Sequence, residues 1–296
     1  MDKEQLLNKI HNLTIWKRES VRAPHKPLLV LLSLAILQRE GKRLISYKEI
    51  ESPLTKLLQE FGPSRKSYHP NYPYWRLRED SIWEIDNVNQ LTPNNSGDVS
   101  ITELRKFDVH AGFKKDVFEL LIKQEELIPE IATTLLEAHF EPSLHEEILS
   151  AIGLSLEGYN LSLKNKRNPE FRDNVLSAYE YKCAVCNYDV RINNALVGLE
   201  AAHIKWHTAN GPSTIDNGIA LCSLHHKLFD YGIFTIDPSY RFILSEKATG
   251  SAGFSNWLLN YHSHYLNKPL RRDYEPNSEF IKWHQGQVFK QPARIF

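Results

Sequence analysis

Cys183-Ala-Val-Cys186 and Cys222-Ser-Leu-His225 are two half-sites of the same spacing, and they decide how the C-terminal half of this chain is read. Two residues between ligands let a tight turn aim both side chains at one tetrahedral ion. The chain holds three cysteines, all within these half-sites, with 35 residues between Cys186 and Cys222. A Cys-Cys-Cys-His site for Zn²⁺ is therefore expected. Four protein ligands leave no open position, so the ion's role would be structural. A redox pair plus one buried cysteine is the other way to read the same residues. The odd count excludes a disulfide scaffold and fits a reducing compartment, so a cytoplasmic location is expected.

Working outward, the segment between the half-sites holds Leu199-Glu-Ala-Ala-His203-Ile and Asp216-Asn217-Gly-Ile-Ala-Leu-Cys222. The second half-site runs on as His225-His226-Lys-Leu-Phe-Asp230. Upstream, Phe171 to Tyr181 has the spacing of an amphipathic helix. Downstream, Gly232 to Leu244 predicts a β-hairpin turning at Asp237-Pro-Ser-Tyr240. The order and local context of His203, Asn217 and His226 resemble the HNH, or ββα-metal, nuclease family, in the branch that carries a zinc knuckle. The resemblance covers residues 171–240. It implies that His203 is the general base, that Asn217 orients it through a hydrogen bond, and that His226 is a ligand of a catalytic Mg²⁺ or Mn²⁺, with His225 turned to the zinc.

Those residue types suit phosphodiester hydrolysis. A neutral imidazole can take a proton from water near physiological pH. A hard divalent ion can polarise the phosphoryl and leaving oxygens. One position departs from the family pattern: an Asp or His often precedes the first histidine as a metal ligand, and here it is Ala202. Alternation along a strand puts Glu200 on the same side as Ala202. Glu200 is thus the expected substitute ligand, or else a strand-edge carboxylate. His207 reads as a solvent-exposed loop histidine.

The N-terminal half predicts a mixed α and β domain, so the fold class is α+β. Helices are expected at residues 3–11, from Pro27 to Gln38 with Gly41 as a stop, and from Ser46 to Phe61. Tyr72-Pro-Tyr-Trp-Arg-Leu77 and Ile82-Trp-Glu-Ile85 read as two strands. Further helical spacing follows at Ile101 to Phe107 and Phe113 to Phe140. Three motifs stand out: Arg22-Ala-Pro-His-Lys-Pro-Leu-Leu29, Ser67-Tyr-His-Pro-Asn-Tyr-Pro-Tyr-Trp-Arg-Leu77 and His110-Ala-Gly-Phe113. Together with a following HNH module, they resemble the DNA sulfur-binding domain of McrA-like restriction endonucleases that cut phosphorothioated DNA. This second resemblance spans residues 10–130.

It implies that a His-Lys pair and a Tyr-Pro pair contact the modified backbone, here His25, Lys26, Tyr72 and Pro73. Sulfur is larger and a weaker hydrogen-bond acceptor than oxygen, so a shallow apolar wall favours it. Tyr72, Pro73 and Trp75 can form that wall. Arg22, His25, Lys26, Arg76 and His110 can meet the charge of the phosphates. Tyr68 joins the set, although a turn explains it equally, and Trp75 and Leu77 read equally as core.

Lys plus Arg and Asp plus Glu both number 36 in 296 residues, so the net charge is zero. Residues 1–120 carry +3, residues 121–150 carry −6 and residues 151–296 carry +3. An acidic spacer thus separates two mildly basic blocks, which is not the strong basicity of a non-specific nucleic-acid coat. No apolar run reaches the ~20 residues of a bilayer span, and no membrane partner is expected. The division expected is a recognition domain at 1–150, a linker at 151–170 and a nuclease domain at 171–296. The whole reads as a type IV-like restriction endonuclease acting on double-stranded DNA with phosphorothioate linkages. One HNH site cuts one strand, so a homodimer is among the expectations. The rival readings are an HNH nuclease that recognises methylated bases and a non-catalytic, zinc-containing DNA-binding protein.

Overall fold

A computed structural model describes residues 1–13, 21–156 and 169–295. The described residues divide into two compact units, one of residues 1–13 and 23–156, the other of residues 21–22 and 169–295. Most of the linker expected at 151–170 lies outside the described residues.

The first unit runs α1 (Lys3–His11), α2 (His25–Glu40), β1 (Leu44–Ser46), α3 (Tyr47–Phe61), α4 (Asn71–Arg76), β2 (Trp83–Ile85), α5 (Ile101–Lys106), β3 (His110–Phe113), α6 (Lys115–Lys123), α7 (Leu127–His139) and α8 (His145–Ile152). Helix α2 is its centre: every residue from Lys26 to Leu37 is buried, and α3, α4 and α7 pack on it. A helix that is apolar all round can only be stable when covered all round. Gly41, at φ 65, ends it in the left-handed conformation that glycine adopts without strain. The sheet is antiparallel in the order β1-β3-β2, with Ala111 of β3 paired to Ile45 on one side and Ile85 on the other.

The segment Tyr72 to Leu77 is not the strand its alternation suggests. It forms α4 and passes into a 3-10 turn at Leu77–Asp80. Pro73 lies in the first helical turn, where its missing N–H has no intrahelical partner to lose and its fixed φ already suits the helix. Tertiary contacts hold the helix. The Tyr74 hydroxyl lies 2.8 and 2.9 Å from the carbonyl oxygens of Ile45 and Val109. The Trp75 indole N–H donates to Gly97 O at 2.7 Å. Ile82 to Ile85 does supply a strand, β2.

The second unit runs α9 (Pro169–Ala178), β4 (Arg191–Ile192), β5 (Ala195–Leu196), β6 (Leu199–His203), β7 (Gly218–Cys222), α10 (Ser223–Asp230), β8 (Phe234–Ile236), β9 (Phe242–Leu244), α11 (Ala252–Trp257) and α12 (Ser278–Gln287). Strands β6 and β7 pair antiparallel from Leu199↔Cys222 to His203↔Gly218. Helix α10 begins directly after β7, and α9 packs on both strands. The β8–β9 hairpin turns where the sequence places it, with Asp237 Oδ1 accepting from the backbone N–H of Ser239 and Arg241. The C-terminal α12 packs on β8. There the buried His284 stacks on Phe229 and lies 2.8 Å from the Thr235 hydroxyl.

A Cβ at Gly112 would stand 1.7 Å from the carbonyl oxygen of Arg43. Gly112→Ala should therefore force β1 and β3 apart and destabilise the first unit by about 2–3 kcal/mol, the usual scale for overpacking. Gly286→Ala, in α12 with open space at its Cβ, should be neutral or stabilising. Denaturant melts of the two variants check the contrast.

Candidate functional site

The β6–β7 hairpin carries a ligand cluster at one end and a histidine site at the other. At the first end, Cys183, Cys186, Cys222 and His225 bring their ligand atoms within 4.8 Å of one another. Cys186 Sγ lies 3.9 Å from Cys222 Sγ, and His225 Nδ1 lies 3.2 Å from Cys222 Sγ and 3.7 Å from Cys183 Sγ. Four ligands about 2.3 Å from one ion at tetrahedral angles would stand roughly 3.8 Å apart, so the donor set has the size and the chemistry for zinc. The ring orientation fits as well. His225 Nε2 lies 2.9 Å from the Trp257 carbonyl oxygen, and an N–H donated there leaves the Nδ1 lone pair for an ion. The sequence locates all four ligands by their spacing. Trp257 it does not, because only the fold brings α11 to this ring.

At the other end, His203 closes β6. Its ring stacks on Phe171 of α9 at 4.0 Å and an interplanar angle of 11°. That stacking depends on the partner residue Gly218, where a Cβ would stand 2.3 Å from Val175 and 3.1 Å from Phe171. Burial pushes the His203 pKa down to about 4, so the imidazole is neutral at physiological pH. Its Nε2 lies 3.2 Å from Ser213 Oγ.

Asn217 does not reach the His203 ring. Fully buried, its carboxamide accepts from Lys205 N at 2.8 Å and donates to the carbonyls of Lys205 and Pro212 at 2.9 and 2.8 Å. Both amide protons and one oxygen lone pair go into holding the 205–212 loop.

His226 sits on α10 between two carboxylates. Glu200 Oε2 is 2.6 Å from its Nδ1 and Asp230 Oδ2 is 3.2 Å from its Nε2. Glu200 also accepts from the Ser223 hydroxyl at 3.0 Å. Burial would lower the His226 pKa, but Asp230 and Glu200 outweigh it and raise it to about 10. The two carboxylates stand at opposite edges of the ring. Among the described residues, the Cys-Cys-Cys-His cluster is the one group of three or more such ligands that converges. Reading the sequence missed Asp230. The signal was its place four residues after His226, hence on the same helix face. Ala202, where the family pattern often has a ligand, is fully buried.

In the first unit, Tyr72 stands out on α4, 36% exposed. His69 stacks on its ring at 4.8 Å, and the Arg76 guanidinium lies 5.0 Å from its centroid. Arg76 is held by Asp98 through a bidentate pair at 2.6 and 2.5 Å. Lys26, in the first turn of α2, is bound to the buried Asp80 at 2.5 Å. His25 is half-buried at the start of α2, whose N-cap Pro24 offers no side-chain cap. Tyr68 is half-buried and its hydroxyl accepts from Arg65 N. His110 starts β3, and its backbone N–H donates to Asp86 at 2.7 Å.

Three of the residues expected from sequence to contact the backbone are buried within their units. Arg22 belongs to the second unit: it stacks 3.8 Å over Trp206 and donates to Gln287 O. Trp75, 1% exposed and covered by Arg78 at 3.5 Å, is core. Pro73 is buried and shapes the start of α4.

A hairpin and helix bearing His203, Asn217 and His226 in this order define the second unit as an HNH endonuclease domain, and a family model described as HNH endonuclease matches residues 183–237. A second model, described as ScoMcrA-like, DNA sulfur-binding domain, matches residues 3–157, more than half of the chain. The chain belongs to this family. Among solved structures, it is similar to the sulfur-binding domain of ScoMcrA complexed with phosphorothioated DNA, at 22% identity and a TM-score of 0.44 over 50% of this chain and 94% of that one. The sulfur-binding domain of SprMcrA, also complexed with phosphorothioated DNA, matches at 17% identity and a TM-score of 0.43 over 52% and 95%. The Type IV phosphorothioation-dependent restriction endonuclease ScoMcrA matches at 22% identity and a TM-score of 0.41 over 49% of this chain and 27% of its own length. No curated protein sequence is significantly similar to the chain. No helix among the described residues is long and apolar enough to cross a membrane.

The cluster geometry makes a direct prediction. Purified protein should carry about one zinc per chain, since a tetrahedral four-ligand site is a closed structural one. Cys186→Ser should lose the metal and lower the melting temperature of the second unit. Elemental analysis and calorimetry check both, and metal-free wild-type protein with unchanged melting would refute the assignment.

Proposed function

We propose that this protein is a modification-dependent, type IV-like restriction endonuclease that binds double-stranded DNA through phosphorothioate linkages and hydrolyses nearby phosphodiester bonds in the cytoplasm. The observation that carries this reading is the union, in one chain, of a ScoMcrA-like sulfur-binding domain with an HNH domain whose imidazole is neutral and pinned.

In recognition, the exposed Tyr72 ring is the apolar face on which sulfur rests, since sulfur loses less hydration than oxygen against such a surface. His25 and the open N-terminus of α2 meet the adjacent phosphate charge. Lys26 and Arg76, each fixed by a carboxylate, serve as aimed donors. The pairing with Asp80 and Asp98 also restrains binding to any anionic backbone, which favours discrimination over raw affinity.

In hydrolysis, His203 takes a proton from the attacking water. His226 Nδ1 and Glu200 form the edge that would hold a divalent cation, which would displace the Nδ1 proton that Glu200 accepts in its absence. Asp230, at the other edge, accepts the Nε2 proton and keeps the ring in the ligating tautomer, as second-shell carboxylates do. When bound, Mg²⁺ or Mn²⁺ polarises the phosphoryl oxygen and stabilises the leaving oxygen. Cys183, Cys186, Cys222 and His225 would hold zinc, which would tie β7 and α10 to the knuckle as a closed structural site. Glu200 beside His226 favours the catalytic reading over a non-catalytic one, since it offers a carboxylate where Ala202 has none. One such centre cuts one strand, so double-strand cleavage takes two copies or two nicking events.

Two measurements test this. The full chain should bind a duplex with one phosphorothioate far more tightly than the same unmodified sequence at fixed salt, and Tyr72→Ala should erase most of the difference. Equal affinity for both duplexes would remove the sulfur reading. His203→Ala should abolish cleavage with binding retained, while Asp230→Asn should slow it by about 10–100-fold, the cost of a lost second-shell partner. Nicking assays at saturating Mg²⁺ check both variants, and undiminished cutting by His203→Ala removes the base assignment.

A further inference from the structure

The His203 ring offers two nitrogens, and the way they are used carries an assignment beyond the His-Asn-His set. Nε2 faces Ser213 Oγ at 3.2 Å. Nδ1 has no hydrogen-bond partner among the described residues. A neutral imidazole carries one proton, and which nitrogen holds it is set by the hydrogen bond the other atoms allow.

Ser213 is itself brought to the ring by the loop. Asn217 donates to the carbonyl of Pro212, the residue before Ser213, and clamps Lys205 from both sides. The Trp206 carbonyl accepts from Ala209 and Gly211 N–H groups, each at 2.9 Å. At Gly211 a Cβ would stand 1.8 Å from Lys205 O, so the loop closes this tightly only with glycine there. The loop leaves His203 after β6 and returns against the ring at Ser213. Phe171 closes one ring face, so rotation of the imidazole is restricted.

We propose that Ser213 is a positioning residue for His203: its hydroxyl accepts the Nε2 proton, fixes the tautomer with the Nδ1 lone pair free for the attacking water, and transmits the hold of Asn217 to the base. This rests on the reading of His203 as the base. The reverse polarity, with the hydroxyl donating to Nε2, would put the proton on Nδ1 and leave no lone pair toward the open side. Asn217 thus orients the base indirectly, through Pro212-Ser213.

The test uses the full chain with ¹⁵N-labelled histidine and a phosphorothioate duplex. In wild type, the His203 resonances should show the proton on Nε2. In Ser213→Ala that bias should be lost, and the single-turnover rate at saturating DNA should fall about tenfold, the worth of one such hydrogen bond, with affinity unchanged. Ser213→Thr, which keeps the hydroxyl, should restore both. Ser213→Ala and Asn217→Ala should combine with less than additive loss, since they act through one chain of contacts. A proton on Nδ1 in wild type, or full-speed cleavage by Ser213→Ala while His203→Ala is inactive, overturns the proposal. Cleavage by His203→Ala instead overturns the reading of the base itself, so the two failures are told apart.

Discussion

The antiparallel register of β6 with β7 is the constraint on which the second unit depends. Leu199↔Cys222 sets one end and His203↔Gly218 the other. Because side chains alternate along a strand, a slip of one residue would turn every side chain to the opposite face. Cys222 would leave its cluster, and His203 would leave Phe171 and Ser213. The register is itself specified from both ends. The four-ligand cluster ties the start of α10 to the knuckle, and the buried Asn217 amide ties the 205–212 loop to the start of β7. A four-ligand cluster and a buried, triply bonded amide thus hold a short two-stranded ribbon, which alone would be marginal in water.

The first unit solves a different problem. A surface that must prefer sulfur to oxygen cannot rely on charge, since the two phosphates carry the same charge. In the first unit the charged groups around Tyr72 are paired within the protein. Arg76 and Lys26 are each bound to a carboxylate that is 4% or less exposed in its side chain, Asp98 and Asp80. Such pairs give little net stability but fix donor direction. Beside them Tyr72 presents an aromatic ring framed by His69 and Arg76. The zero net charge of the chain agrees with a protein that does not coat DNA indiscriminately.

The two histidines at the candidate nuclease centre show how one residue type takes opposite roles from its surroundings. His203, buried against Phe171, is held neutral, while the carboxylates beside His226 raise it to about 10. With a carboxylate at each nitrogen, the His226 ring keeps both protons at neutral pH in the absence of a metal, and a cation at Nδ1 would have to displace one of them.

The sequence by itself determined what short-range spacing encodes. The Cys-x-x-Cys and Cys-x-x-His half-sites, the order of His203, Asn217 and His226, the all-apolar α2 and the Asp237 turn could be read directly, because ligand pairs, helical period and turn chemistry are local. Glu200, picked out by alternation along the strand, does lie beside His226. Tyr72 to Leu77 reads as a strand because its alternating aromatic pattern outweighs the proline, whereas the helix it forms is held by Ile45, Gly97 and Val109 from other parts of the chain. The tertiary structure alone decided that Arg22 packs with Trp206 in the second unit, that the Trp257 carbonyl meets His225, and that Asn217 bonds to Lys205 and Pro212 while Ser213 lies beside the His203 ring. Those contacts join residues far apart in sequence, or on a folded-back loop, where no local periodicity reports on distance.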